Sequence, residues 1–323
     1  MPGRDHNPHG RRLYLPIVST PGASHDVSVP GERKPPWLKA KLPSGKNYAE
    51  LKAIMRGNSL HTVCEEAMCP NISECWEERE ATFLIGGEFC TRRCAFCDVT
   101  TARPEGYDTD EPRRVATSVA QMGLRYAVIT SVARDDLRDG GAWLFAETTR
   151  QIRSLIPGCG VELLVPDFKG SFDALRVVCD VTPEVFAHNL ETVPRLFDRI
   201  RPAFTLKGSL ELLRRSRELL PATSYTKSNL IVGMGEDHDE IVSSMRDLRE
   251  VGCDLLTIGQ YLRPGPLQMP IARYVPPEEF AAWREVGEAM GFAWVEAGPL
   301  VRSSYHAGRQ QRAARLRTGT RTT

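Results

Sequence analysis

ATFLIGGEFCTRRCAFCDV, Ala81 to Val99, is the stretch from which the architecture can be read. ATFLIG is a short apolar run closed by glycine, too short for a helix, and reads as a buried strand. Cys90, Cys94 and Cys97 follow it directly, at gaps of three and two residues. Apolar runs of the same kind recur downstream as YAVITSV, VELLVPDF, Val185 to Asn189, Ser228 to Gly235 and Asp254 to Tyr261. The stretches 112–122, 142–156, 209–219, 237–250 and 277–290 carry helical patterns between them. Runs of β-branched residues separated by helices imply parallel strands buried on both faces. Six such units predict an α/β fold, a partial (β/α)6 TIM-like barrel over 81–292 with N-terminal and C-terminal extensions covering its open face.

A parallel barrel carries its chemistry at the C-terminal ends of its strands. Polar residues collect at those ends. The second follows into Arg134, Asp135 and Asp136, the third into Asp167 and Lys169, the fourth into His188, Asn189 and Glu191. Lys227 and Ser228 stand by the fifth, and Gln260 and Tyr261 close the sixth. Taken singly, each reads as a cap or a surface charge; their shared position raises the set above that. Asp139 to Ala142, DGGA, allows close backbone approach to a ligand, and a plain turn accounts for it equally well.

Upstream, Cys64, Cys69 and Cys75 form a second group at gaps of four and five residues. Thiolates are soft ligands, and closely spaced ones converge on a soft metal centre. A structural zinc site or a closed four-iron cluster takes four protein ligands, so each triad is one short. Something else must complete each centre. Disulfides fit poorly, because two odd-numbered groups in a chain without a secretory signal make no framework. Zinc, with His61 as a fourth ligand, is the stronger competing reading. Cys159, Cys179 and Cys253 stand alone in apolar surroundings and read as buried thiols.

The 323 residues carry a net charge of +1, with 41% hydrophobic and 26% charged residues. That balance argues against a nucleic-acid binder, and no apolar run reaches membrane-spanning length. Thiolate-bound iron suits a reducing compartment, which makes a cytoplasmic location the expectation. Residues 1–40, with seven prolines and four glycines, read as an extended or disordered arm. Residues 41–80 hold a helix over 47–56 and then the first triad in an irregular loop. Residues 293–308 form a C-terminal segment. In 309–323, Arg309, Arg312, Arg315, Arg317 and Arg321 follow with no acid between them, which predicts a basic, frayed tail.

Near the end, GPLVRSSYHAG places Ser303 and Ser304 between Arg302 and Tyr305. An oxygen from either serine offers the ligand that the first triad lacks, and as a harder donor than thiolate it would be the labile one. The spacing of Cys90, Cys94 and Cys97 resembles that of radical S-adenosylmethionine enzymes. LHTVCEEAMCPNISECW, SVARDDLRDGGA, HNLETV, LTIGQY and RSSY, in this order across 34–307, resemble the lipoyl synthase family within that superfamily.

The resemblance implies a sulfurtransferase that inserts two sulfur atoms at C6 and C8 of a protein-bound octanoyl chain. It implies two 4Fe-4S clusters and S-adenosyl-L-methionine. Cys90, Cys94 and Cys97 would hold the radical-generating cluster. Cys64, Cys69, Cys75 and a serine, with Ser304 favoured over Ser303, would hold an auxiliary cluster that serves as sulfur donor. Arg302 would hold or gate the serine motif, and His188, Asn189, Glu191 and Lys227 would line the cofactor and substrate pocket. The implied partners are octanoylated lipoyl carrier domains (E2 subunits of 2-oxoacid dehydrogenases and the glycine cleavage H protein), an electron donor such as ferredoxin or flavodoxin, and an iron–sulfur cluster carrier. Arg79 and Asn229 stand where the family usually has glycine, and 265–269 lacks its customary histidine-containing turn. The competing readings are another radical sulfur-inserting enzyme, which would lack the upstream triad and RSSY, and a zinc-binding interaction module.

Overall fold

In the computed structural model the described residues are 34–39, 44–57, 62, 64 and 69–319. His61 and most of the arm over 1–40 lie outside them. Seven parallel strands pair in chain order: β1 (Glu80–Ile85), β2 (Tyr126–Ser131), β3 (Gly160–Leu164), β4 (Val185–Ala187), β5 (Tyr225–Val232), β6 (Leu255–Gln260) and β7 (Trp294–Gly298). The expected α/β barrel is present with its six strands, and β7 adds a seventh to the sheet. Trp294–Gly298 therefore belongs to the barrel and not to a separate C-terminal segment. The run FAWVEAG carries Glu296 in its middle, which hides the strand pattern.

The helices are α1 (Lys46–Gly57), α2 (Ile72–Glu77), α3 (Glu111–Gln121), α4 (Ala142–Leu155), α5 (Phe172–Cys179), α6 (Pro194–Ile200), α7 (Leu206–Leu219), α8 (His238–Glu250), α9 (Pro277–Ala289) and α10 (Ala307–Thr318). Ala81, Phe83 and Ile85 of β1 point outward into a core shared with Val115, Ala116 and Val119 of α3 and Phe145 of α4. The alternate positions face inward and are often polar, as with Thr82, Glu162, Lys227, Asn229 and Thr257. Caps set the crossovers: Asp237 and Glu240 form a reciprocal capping box on α8.

Strands β1 and β7 are the two edges of the sheet and do not pair with each other. The chain on either side of the barrel meets across this seam. Asn71 donates to the Leu300 carbonyl at 2.6 Å, Tyr305 Oη donates to Glu74 at 2.8 Å, and Thr82 Oγ1 bonds Ser304 Oγ at 2.9 Å. Both terminal segments are thus joined where the barrel is open.

The arginine-rich end corrects the expectation of a frayed tail. Residues 307–318 form α10, and its Ala314 is buried against Val185, Tyr225, Leu255 and Ala293 at the N-terminal ends of the strands. Gly308 N donates to Glu80 at 3.1 Å, and Tyr225 Oη bonds Thr318 Oγ1 at 2.9 Å. Alanines and Gln310 supply the buried stripe, while Arg309, Arg315 and Arg317 remain outside. At the other terminus, the end of the predicted arm also packs: Pro36–Leu38 form a single 3-10 turn with Leu38 buried.

Candidate active site

The second triad sits on the loop after β1, at the C-terminal ends of the strands. Gly86 and Gly87, at φ 85° and 91°, turn the chain out of β1 in the left-handed region that glycine adopts without strain. The loop is then tied to four neighbours. Thr91 N donates to Ala133 O at 3.0 Å after β2, Ala95 N to Ile200 O at 2.8 Å at the end of α6, and Met269 N to Ala95 O at 2.8 Å after β6. Arg92, buried, spans Asp135 at 2.7 Å and Asp167 at 2.7 Å. Cys90 Sγ accepts from Ala133 N at 3.3 Å and Arg92 N at 3.4 Å.

Burial pushes the Cys97 thiol up to about 11, with Cys94, Cys90 and Glu191 adding to the effect against a backbone donor at Val99. Burial also raises Cys94, opposed by the Arg201 guanidinium beside it. In the apo form these thiols hold their protons; a metal must displace them.

Glu191 is brought to this triad, where its charge acts on Cys94 and Cys97, and Asn189 is bonded to it. Glu191 takes φ 71°, and its backbone continues the pairing of β4 onto β5 through Asn229 O and Ile231 N, both at 2.8 Å. Its carboxylate accepts from Asn189 at 2.9 Å and from Asn229 at 2.8 Å, and Asn229 Oδ1 accepts from Thr257 at 2.8 Å. This chain of amides crosses the inside of the barrel. Asn229 is one of its links. The network ends open: Asn189 Oδ1 is buried without a hydrogen-bond partner. A buried acceptor left free fits a site that receives a ligand's donor.

Two other expected residues are placed elsewhere. His188 points outward, its ring nitrogens held by Val165 O at 2.8 Å and Ser209 Oγ at 3.1 Å. Burial, with Arg201 contributing, holds it down to about 3, so it is neutral. It joins β4 to α7. Lys227 is third in β5, not at its C-terminal end, and is paired with Glu162 at 3.0 Å with both side chains 1% exposed. That ion pair fills the barrel interior.

The first triad is gathered at the seam. Cys64, Cys69, Cys75, Thr82, Arg302 and Ser304 line one cleft. Cys75 lies on α2, so part of the expected irregular loop is helical. Burial pushes the Cys64 thiol up to about 11 with Cys69 adding to it, and raises Cys69 and Cys75 as well. Arg302 is held by Val301 O at 2.7 Å and Gln260 O at 3.3 Å, with its charge acting on Cys69. Of the two serines, Ser304 lines the cleft. Three soft thiols and one hydroxyl around a common space match the donor set of an iron–sulfur cluster with one weak ligand.

Thr82, Arg92, Arg201 and Thr257 also belong to these surroundings, and no sequence motif marks Arg92, Arg201 or Thr257. Thr82 had one available signal, its inward place in an alternating strand beside an otherwise apolar run.

The Radical SAM superfamily profile matches residues 84–248, and the profile for the N-terminal domain of lipoyl synthase of that family matches 27–69. The chain is 56% identical over 310 residues to a lipoyl synthase of Mycobacterium ulcerans (strain Agy99), covering 96% of this chain and 93% of that protein. The chain belongs to the lipoyl synthase family. To the lipoyl synthase of Nocardia farcinica (strain IFM 10152) it is 60% identical over 286 residues, 88% of this chain and 80% of that one. A crystal structure of HydG, a maturase of the [FeFe]-hydrogenase, superposes with a TM-score of 0.53 at 12% identity over 77% of this chain and 62% of that chain, a likeness of fold alone. As a lipoyl synthase the chain is a radical S-adenosylmethionine sulfurtransferase that carries two 4Fe-4S clusters, not a zinc module. It acts on lipoyl carrier substrates.

Proposed function

We propose that the two triads divide the reaction between them, with Cys90, Cys94 and Cys97 holding the radical-generating cluster and Cys64, Cys69, Cys75 and Ser304 the auxiliary one. The observation that carries this reading is the gathering of Ser304 with the first triad in a single cleft, its hydroxyl held by Thr82 at 2.9 Å. When bound, the first of these clusters supplies the electron that cleaves S-adenosyl-L-methionine, and the second supplies the sulfur placed at C6 and C8 of the octanoyl chain.

The protein's own residues position and release. Asn189, fixed by Glu191 and Arg201, would offer its free Oδ1 to a donor of the bound cofactor, and Glu191, fixed by Asn229, would hold it there. Arg302 places positive charge beside Cys69 and favours its thiolate. Thr82 orients the Ser304 hydroxyl, which would be the oxygen ligand of the auxiliary cluster, and would offer that oxygen a hydrogen-bond partner when it is not a ligand. The barrel wall and the two terminal segments keep water from the carbon radical. His188 and Lys227 take no part in binding on this reading.

The finer partners follow the same reading: octanoylated E2 and H-protein domains as substrates, ferredoxin or flavodoxin as reductant, and a cluster carrier to rebuild the auxiliary centre. Among the described residues no helix is long and apolar enough to cross a membrane. A cytoplasmic location is proposed with these partners. Cys94→Ala is expected to abolish 5′-deoxyadenosine formation, whereas Cys75→Ala retains cofactor cleavage and makes no lipoyl product. Equal loss of cleavage in both variants would sink the division of roles.

A further inference from the structure

Beside the auxiliary cleft, Glu78, Glu80 and His306 each aim one ligand atom at a common space, and these atoms lie within 4.8 Å of one another. They come from both sides of the seam: Glu78 caps α2, Glu80 opens β1, and His306 follows the RSSY motif. The histidine is 4% exposed. Its Nδ1 lies 3.0 Å from Glu78 Oε2, an ion-pair distance, yet the two are misaligned and each is buried without a hydrogen-bond partner. Nε2 stands 3.8 Å from Glu74, too far for a hydrogen bond. Glu80 accepts from Gly308 N at 3.1 Å and only distantly from Arg312 at 3.4 Å, which leaves it lone pairs to spare.

A proton between Nδ1 and Oε2 needs a near-linear arrangement that this pair lacks. A cation has no such requirement, because ligands reach it from several directions at bonds of about 2.1 Å. Imidazole with two carboxylates is a mixed nitrogen and oxygen donor set, suited to first-row divalent ions and distinct from the thiol triads. We propose that Glu78, Glu80 and His306 form a mononuclear site for a divalent first-row transition ion. An ion there would tie the chain just after Ser304 to the start of β1 and steady the segment that presents the serine. The site stands on its own geometry, independent of how the two clusters share the reaction.

The test uses the full chain with both clusters loaded, so that the thiolates are occupied, titrated anaerobically with Mn²⁺ while the free ion is followed by its six-line EPR signal. One Mn²⁺ per chain is expected, displaced by one equivalent of Zn²⁺ as the affinity order of these metals requires. Glu78→Gln and His306→Gln are each expected to weaken Mn²⁺ binding by roughly tenfold or more. If His306→Gln fails to retain its clusters, the half-exposed Glu78→Gln decides the matter alone. No Mn²⁺ bound at millimolar concentration, or equal binding by the wild type and Glu78→Gln, would mean an adventitious ion only and overturn the site.

Discussion

Ser303 and Ser304 are chemically identical neighbours, and their surroundings separate them. Ser304 lines the cleft with the three thiols and bonds Thr82 at 2.9 Å. On the proposed ligand set, Ser304→Ala is expected to keep deoxyadenosine formation while product falls by at least about tenfold. Ser303→Ala should turn over normally, and the reverse pattern would exchange the two assignments. His188 makes a prediction in pH. Held to about 3 in the fold against 6.5 in the unfolded chain, it takes up a proton on unfolding at any pH between those values. Stability therefore falls as pH drops below 6.5, with a slope of up to about 1.4 kcal/mol per pH unit from this residue. Denaturant midpoints between pH 7 and 5 should fall less steeply in His188→Gln; an unchanged slope would place the acid sensitivity elsewhere. Arg79 shows how a residue other than glycine is held in the left-handed region. It keeps the left-handed backbone at φ 59°, and its guanidinium bonds Met122 O at 2.8 Å and Glu50 at 2.6 Å. These contacts offset a strain of order 1 kcal/mol.

Among the elements, α10 changes what the C-terminal arginines mean. A frayed basic tail invites the idea of a docking arm for an acidic carrier. Instead the helix closes the barrel at the strand N-termini, and Arg317 lies over the Trp294 ring at 4.8 Å. Removing it would uncover Tyr225, Leu255 and Ala293, so loss of carrier affinity after truncation would report lost packing as readily as lost docking. Ala314→Asp tests the closure directly. It buries an unpaired carboxylate at a fully enclosed position and is expected to cost about 2–4 kcal/mol by denaturant midpoint. Arg315→Asp, on the solvent side, should change the midpoint by less than about 0.5 kcal/mol. Equal effects would mean that the helix is not seated on the barrel. The first triad illustrates a related point. Unequal cysteine gaps suggested a loop throughout, yet Cys75 rides on α2, whose Ile72 and Trp76 anchor it in the core.

At the scale of the whole molecule, the barrel keeps the two thiol groups apart. One stands over the C-terminal ends of the strands, and the other sits in the seam between β1 and β7. Each should load iron without the other. Anaerobic reconstitution is expected to give about eight iron and eight sulfide per chain, falling to about four of each when Cys64, Cys69 and Cys75 are all changed to Ala. About four in both proteins would mean that the seam holds no cluster.

Cysteine spacing, the alternation of apolar runs with helical stretches, and RSSY were legible in the sequence because each is a local pattern with a chemical meaning. Soft ligands at short intervals imply a metal centre, and β-branched runs between helices imply a parallel barrel. By itself the chain therefore determined the fold class, the grouping of six cysteines into two triads and the family. Only the tertiary structure decided which serine faces the first triad and that Thr82 holds it. It also decided that His188 points away from the cavity, that Lys227 is neutralised by Glu162, and that β7 and α10 complete the barrel. The physical reason is common to all of these. Strand alternation assigns a side chain to one face or the other, and nothing local reveals which face is the inside. A buried partner such as Glu162 lies sixty-five residues from Lys227 and meets it only when the strands pair.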